Sequence, residues 1–263
     1  MEIDSLIVGS ILAIREKNPG KVVLYGVSGC QGSGKSYNSS RAASQLTQLG
    51  LKAVTISLDD YYLDHIAQVK LAKNGNPLLQ KRGLPGTHLA ERLATDLQTL
   101  KSGGATEVLQ YNKGAYNGQG DRAQSVAMGP LDVIVFEGWM VGFEPLANSL
   151  ESRATNTMYA ATYSKQSLCE IDKNLKSYMP IWNLLDGLVL LRADNLDMVY
   201  DWRWQQEQET IRLCGSGMTR DQVLKFVEGY MPAYELYLDT VQPSVCLALD
   251  VNRVARVITD NRP

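Results

Sequence analysis

Residues 29–36 read GCQGSGKS and follow, after Ser28, on the apolar run VVLYGV at 22–27. Glycine and serine bring little to a packed core, so bare backbone must be needed here. The stretch fits G-x-x-x-x-G-K-[ST], with Gly29, Gly34, Lys35 and Ser36 in register. Glycines let the backbone curl until successive N–H groups point into one concavity, which suits phosphate oxygens. The frame matters more than the pattern: a strand ends just before the loop and a helical stretch, 35–49, follows it. The helix N-terminus adds its dipole, Lys35 a formal charge, and Ser36 a hydroxyl oxygen for Mg²⁺. A mere flexible turn is the competing reading, and a chance match inside such a frame is rare. The expected nucleotide site is therefore Gly29, Cys30, Gln31, Gly32, Ser33, Gly34, Lys35, Ser36 and Tyr37.

Outward from the loop, short apolar runs alternate with helical patterns. Residues 22–27, 53–57, 132–136, 187–191 and 245–249 read as strands buried on both faces, as in a helix-covered parallel sheet. Between them, Leu89, Leu93, Leu97 and Leu100 share one stripe of a helix over 89–101, with Thr87 as its N-cap. Thr219 and Gln222 form a capping box for a helix reaching about Gly229. The alternation predicts an α/β fold with a doubly wound parallel sheet, in one domain spanning 1–263.

The 263-residue composition agrees: 44% hydrophobic, 21% charged, net charge −2. No basic run suggests a nucleic-acid partner. Cys30, Cys169, Cys214 and Cys246 lie far apart and, with two histidines, suggest neither a zinc site nor a disulfide framework. Reduced thiols in a cytoplasmic protein are expected. Ile3, Leu6, Ile7, Ile11 and Ile14 recur at helical spacing, so the N-terminus reads as a packed amphipathic helix. Glu2 and Asp4 stand where a targeting signal would be basic, and the segment is too short to span a membrane. Oligomeric state is not legible.

A phosphate loop with Mg²⁺ needs an acidic partner on a neighbouring strand. LDVIVFEGW, at 131–139, puts Glu137 at the carboxyl end of a buried run, beside the loop. A third strand end, TISLDDYY at 55–62, carries two adjacent acids. Phosphorylating an alcohol requires a carboxylate that orients the hydroxyl and accepts its proton, and either Asp59 or Asp60 could serve while the other caps the next turn. From 59 to 130 the chain is long and rich in Gly, Asn and Lys, with one clear helix. Its 61–130 part reads as an acceptor-binding insertion at the carboxyl end of a strand.

GCQGSGKS, SLDDYYL, RGLPGTH, YNKGAYNGQGDRA, FEGWMVGF, WRWQQE and YMPAYELYL together resemble the D-glycerate 3-kinase family. That family belongs to the P-loop kinases, with phosphoribulokinase, uridine kinase and pantothenate kinase. The resemblance runs from about residue 20 to the C-terminus. It implies a P-loop NTPase fold with a five-stranded parallel sheet in order 2-3-1-4-5, helices on both faces and a helical lid. It also implies ATP and Mg²⁺, and transfer of a phosphoryl group to a small, glycerate-like acceptor. Asp59 becomes the base, two residues before an aromatic, and the metal is shared by Ser36, Glu137 and Asp59. Asp60, Tyr62, Arg82, His88, Lys113 and Arg122 would line the acceptor site, where Arg can engage a carboxylate with two parallel hydrogen bonds. Loop-bracing ion pairs are the other reading of Arg82 and Arg122. The chain departs from the family pattern at Tyr61, Leu89, Asn112 and Gly114.

Residues 196–214 read as a helix ending at Gly215, within a lid over 195–220. Arg203 matches the family's arginine and would reach the phosphates in catalysis. Arg212 lies nine residues on, half a circle round the helix, so the two cannot share a face. Arg203 can also pair with Glu207, and Arg212 with Glu209. The nearest alternatives are a kinase for a nucleoside, pantothenate or a sugar phosphate, and a regulatory NTPase. The latter leaves the acceptor motifs unexplained and lacks a guanine-reading NKxD.

Overall fold

The computed structural model describes residues 2–260. Six strands form its central sheet: β1 (Val23–Gly29), β2 (Ala53–Ser57), β3 (Val133–Gly138), β4 (Gly187–Ala193), β5 (Val245–Leu249) and β6 (Ala255–Asp260). Across the sheet they run β6-β5-β4-β1-β3-β2. The first five are mutually parallel, and β6 is antiparallel to β5. Every residue of β1, β3 and β5 is buried, which is why their sequences are apolar without alternation. The five-stranded expectation omitted β6. ARVITD leaves Val257 and Ile258 exposed, so it lacks the buried-run signature by which the other strands were recognised.

Strand order reverses around β1: the chain goes from β1 to β2 on one side, and later to β4 on the other. Ligands of open α/β sheets bind at the carboxyl ends of strands at such a switch point. Helix Lys35–Gln48 leaves the loop after β1 and packs against the N-terminal helix Ile3–Lys17. Ile3, Leu6, Ile7, Ile11 and Ile14 of the latter are all buried. No described helix is long and apolar enough to cross a membrane.

The insertion holds more structure than the one helix expected. Helix His65–Ala72 starts at Asp64, whose Oδ1 accepts from the Ala67 N–H at 2.7 Å. The second helix is Ala90–Lys101, capped by Leu89 without a side-chain bond. Thr87 is not its N-cap: its hydroxyl accepts from the Gly83 N–H and donates to the Leu84 carbonyl, closing the RGLPGTH turn. An antiparallel arm follows, pairing Thr106–Val108 with Val126–Met128 and Tyr111–Asn112 with Asp121–Arg122. Ladders of three and two residues carry too little periodicity to be read from sequence.

The expected lid helix is Met198–Cys214, ended by Gly215 at φ +75°. Its first half is anchored, with Trp202 fully buried and Glu207 nearly so. The exposed part is its second half, including Leu213. Thr219 and Gln222 make both bonds of the capping box opening helix Arg220–Glu228.

Candidate active site

Three strand ends meet at the carboxyl edge of the sheet. β1 runs into the phosphate loop, β2 into a tight turn at Leu58–Tyr61, and β3 ends on Glu137 and Gly138. Register places Glu137 opposite Val27 of β1 and Ser57 of β2. The turn begins with Ser57, whose hydroxyl accepts from the Asp59 N–H at 3.3 Å.

The phosphate loop needs glycine for two reasons. Gly34 caps helix Lys35–Gln48 at φ +88°, and Gly32 sits at φ +73° with Trp202 against it. A Cβ on Gly32 would lie 2.6 Å from the Trp202 Cβ. Lys35 is 9% exposed and its Nζ donates to the Cys30 carbonyl at 3.0 Å. Burial pulls its pKa down against the pull of Glu137 and Asp59. Burial also pushes the Cys30 thiol up to about 11, leaving it inert. The Gln31 N–H donates to the Tyr234 hydroxyl at 3.1 Å, and that hydroxyl donates to Gln31 Oε1. Ser36 and Tyr37 are exposed on the first helical turn, where the Tyr37 hydroxyl accepts from Arg41 Nη1 at 3.3 Å.

Asp59 lies at the centre of the acceptor side. Its Oδ2 accepts from Lys113 Nζ at 2.6 Å and its Oδ1 from the Tyr62 hydroxyl at 3.0 Å. Burial opposes its charge, but the Lys113 ammonium and these hydrogen bonds outweigh it and hold the carboxyl below the usual range. Asp60 does different work. Its Oδ1 accepts from the Tyr111 N–H at 3.2 Å, joining the β2 end to the arm. Burial, with Asp59 and Glu137 adding to it, raises its pKa to about 6. A raised carboxyl pKa means the folded state binds the proton more tightly, so stability falls as pH rises from about 4 to about 6. Asp60→Asn should therefore flatten stability across pH 4–7 and gain on the order of 1–2 kcal/mol at pH 7. Urea midpoints at pH 4.5 and 7 check this, and an unchanged slope with pH would refute it.

Other acceptor-side candidates separate into two groups. The His88 ring stacks on Tyr62 with centroids 4.3 Å apart, and its Nδ1 meets the Tyr178 hydroxyl at 2.8 Å. Burial lowers its pKa to about 3 although Asp59 pulls it up, so the imidazole is neutral. Its Nε2 is buried without a hydrogen-bond partner. Tyr62, His88 and Lys113 thus gather at Asp59. Arg82 and Arg122 instead brace the arm. Arg82 donates to the carbonyls of Gly118 (2.8 Å), Gln119 and Lys113 (3.4 Å), and stacks over Tyr62 and Tyr111. Arg122 pairs with Asp64 at 3.3 Å.

The two helix arginines also diverge. Arg203 is bound through Nη2 to Glu207 at 2.7 Å, lies over Phe226, and leaves Nη1 buried and unpaired. Glu207 is held in turn by the Met218 N–H at 2.6 Å. Arg212 is exposed and pairs with Glu209.

No protein-family model matches the chain. An uncharacterized kinase of Schizosaccharomyces pombe, mug58, is 41% identical over 268 residues, covering 94% of this chain and 96% of that protein. The solved D-glycerate 3-kinase from Cryptococcus neoformans superposes with TM-score 0.89 at 32% identity, covering 98% of this chain and all of that one. The chloroplastic D-glycerate 3-kinase of Arabidopsis thaliana is 35% identical over 229 residues, 80% of this chain and 48% of that protein. The chain belongs to the glycerate kinase-like family of P-loop kinases.

Kinases of this family use a nucleotide as phosphoryl donor, and the phosphate loop is the candidate place for it in this chain. Magnesium has suitable donors at the same edge in the exposed Ser36 hydroxyl and the Glu137 carboxylate, whereas both oxygens of Asp59, expected as a third, are engaged by Lys113 and Tyr62. Few hard oxygen ligands, with no cluster of three or more metal-ligating side chains among the described residues, fit an ion held largely by substrate phosphates and water.

Several residues beside the candidate site of this kinase went unassigned in the sequence. Trp139 packs edge-to-face with Tyr230 and Tyr234. Tyr230 stands over Gly83, where a Cβ would lie 2.4 Å from its hydroxyl. FEGWMVGF and YMPAYELYL marked both segments, but aromatic residues at helical spacing read as core. Tyr178 carried no signal, because its role depends on a helix brought in from elsewhere in the chain.

Proposed function

We propose that this kinase transfers the γ-phosphoryl group of ATP to a hydroxyl of D-glycerate, giving 3-phosphoglycerate. The observation that carries this reading is Asp59, ionised between Lys113 and Tyr62 at the sheet edge where Lys35 emerges. Asp59 orients the acceptor hydroxyl and takes its proton as transfer proceeds. Lys35 and the loop amides take up charge on the γ-phosphoryl, with the free Nη1 of Arg203 a further donor. Ser36 and Glu137 would hold Mg²⁺, which when bound would neutralise phosphate charge. Lys113 offers a cation to the acceptor's carboxylate, and His88 Nε2 a polar atom to one of its hydroxyls.

The choice of acceptor is supported by two relatives named D-glycerate 3-kinase. ADP release should be measured with D-glycerate, uridine, pantothenate and ribulose 5-phosphate. D-glycerate is expected to raise the rate by at least about a hundredfold over background, and the other three to leave it flat. Stimulation by another compound and not glycerate would reassign the acceptor. Phosphorus NMR of the product then distinguishes the 3-phosphate from the 2-phosphate, and the 2-phosphate would overturn the stated regiochemistry.

A further inference from the structure

The turn between β5 and β6 brings Arg253 onto the phosphate loop from 221 residues away in the chain. Its Nε donates to the Gly32 carbonyl at 2.6 Å and its Nη1 to Gln205 Oε1 at 2.9 Å. The guanidinium lies 5.3 Å from the centre of the Trp202 ring. Trp202 Nε1 answers by donating to the Val251 carbonyl at 2.8 Å. Asp250 shapes the turn, its Oδ1 accepting from the N–H groups of Asn252 and Val254. Arg253 itself adopts φ +62°, a conformation that side-chain-bearing residues hold only when their surroundings demand it. Among the described residues no carboxylate pairs with it, so its charge is not spent on an ion pair.

We infer that Arg253 is a positioning residue for the nucleotide, fixing the Gly32 peptide of the phosphate loop before ATP arrives. The physical reason lies in glycine. Gly32 has no side chain to restrain its peptide, so that peptide depends on hydrogen bonds at its two ends, from the Ser33 N–H to the Cys30 carbonyl and from Arg253 to the Gly32 carbonyl. A peptide is planar, so anchoring the Gly32 carbonyl also fixes the direction of the Ser33 N–H, which donates to the Cys30 carbonyl at 3.2 Å, and holds both ends of that peptide. Loop amides held in place bind phosphate without first losing conformational freedom. The same guanidinium ties the loop to helix Met198–Cys214 through Trp202 and Gln205, so loop and helix are set together.

The inference rests on the phosphate loop as an ATP site and is independent of the acceptor. MgATP affinity should be measured by calorimetry without acceptor, alongside steady-state kinetics and urea midpoints. Variants are Arg253→Ala, Arg253→Lys and a control on the same hairpin, Arg256→Ala, whose guanidinium pairs with Asp194 at 2.6 Å. Arg253→Ala should raise both Kd and KM for ATP by about tenfold, while kcat at saturating ATP stays within about threefold. Arg253→Lys keeps one donor but cannot bridge two acceptors, and should be weakened by about three- to fivefold. Arg256→Ala should match the parent. An unchanged ATP Kd in folded Arg253→Ala, or equal weakening in Arg256→Ala, would overturn the inference. If the alanine variant does not fold, parental affinity in the lysine variant does so. A wrong acceptor assignment leaves the calorimetry readable, so the two failures are distinguishable.

Discussion

Asp59→Asn is expected to lower kcat by about 10²–10⁴-fold while leaving the ATP Kd within about twofold. Asparagine fills the same space and still accepts from the Tyr62 hydroxyl, so the turn after β2 keeps its shape. Lost are the proton acceptor and the ion pair with Lys113. The phosphate loop contributes no hydrogen bond to Asp59, so nucleotide binding has little reason to change. Because the native carboxyl is held below its usual range, the base is already ionised at neutral pH. Its contribution is present above the unfolded-state value and is lost only as pH falls through the lowered folded value. The acid limb of kcat/KM should accordingly lie below that of an ordinary aspartate. Parental turnover in a folded Asp59→Asn protein would remove Asp59 from the mechanism.

Lys35→Met should act on both steps, weakening ATP binding by at least about tenfold and lowering kcat by about 10³-fold. Methionine retains the unbranched stem in its buried slot, which isolates the charge from the packing. In the protein without nucleotide, the Lys35 Nζ donates to the Cys30 carbonyl, and burial disfavours its charge. Phosphate gives that ammonium an anionic partner, and the attraction grows as charge develops in transfer. Calorimetry and single-turnover kinetics separate the two effects. An ATP Kd and kcat both within a factor of about three of the parent would rule the role out.

The candidate chemical residues were legible because they sit at strand ends, and a buried run announces its own end. Glu137 and the Asp59–Asp60 pair follow this pattern, and Gly29 to Ser36 adds a spacing tied to a physical need. Choosing Asp59 over Asp60 drew on resemblance; in the structure the first is clamped by Lys113 and the second by a backbone N–H. What sequence could not supply was partnership across distance. Arg82 was expected at the acceptor and is committed to three carbonyls of the arm. Arg122 was expected there too and meets Asp64. A guanidinium in a loop looks the same in sequence whether it binds a substrate or a backbone. Arg253 was passed over for the same reason, since nothing in VNRVAR says that its turn folds back onto residue 32.

The antiparallel arm contains two short ladders that pair only within themselves, outside the six-stranded sheet. Yet its tip delivers Lys113 to Asp59. The arm is thus a separable part: substitutions between residues 113 and 120 change what Asp59 meets without shifting the strand that carries Glu137 or the helix that opens at Lys35. Rewriting one hairpin redesigns the surroundings of Asp59 while the phosphate loop stays as it is.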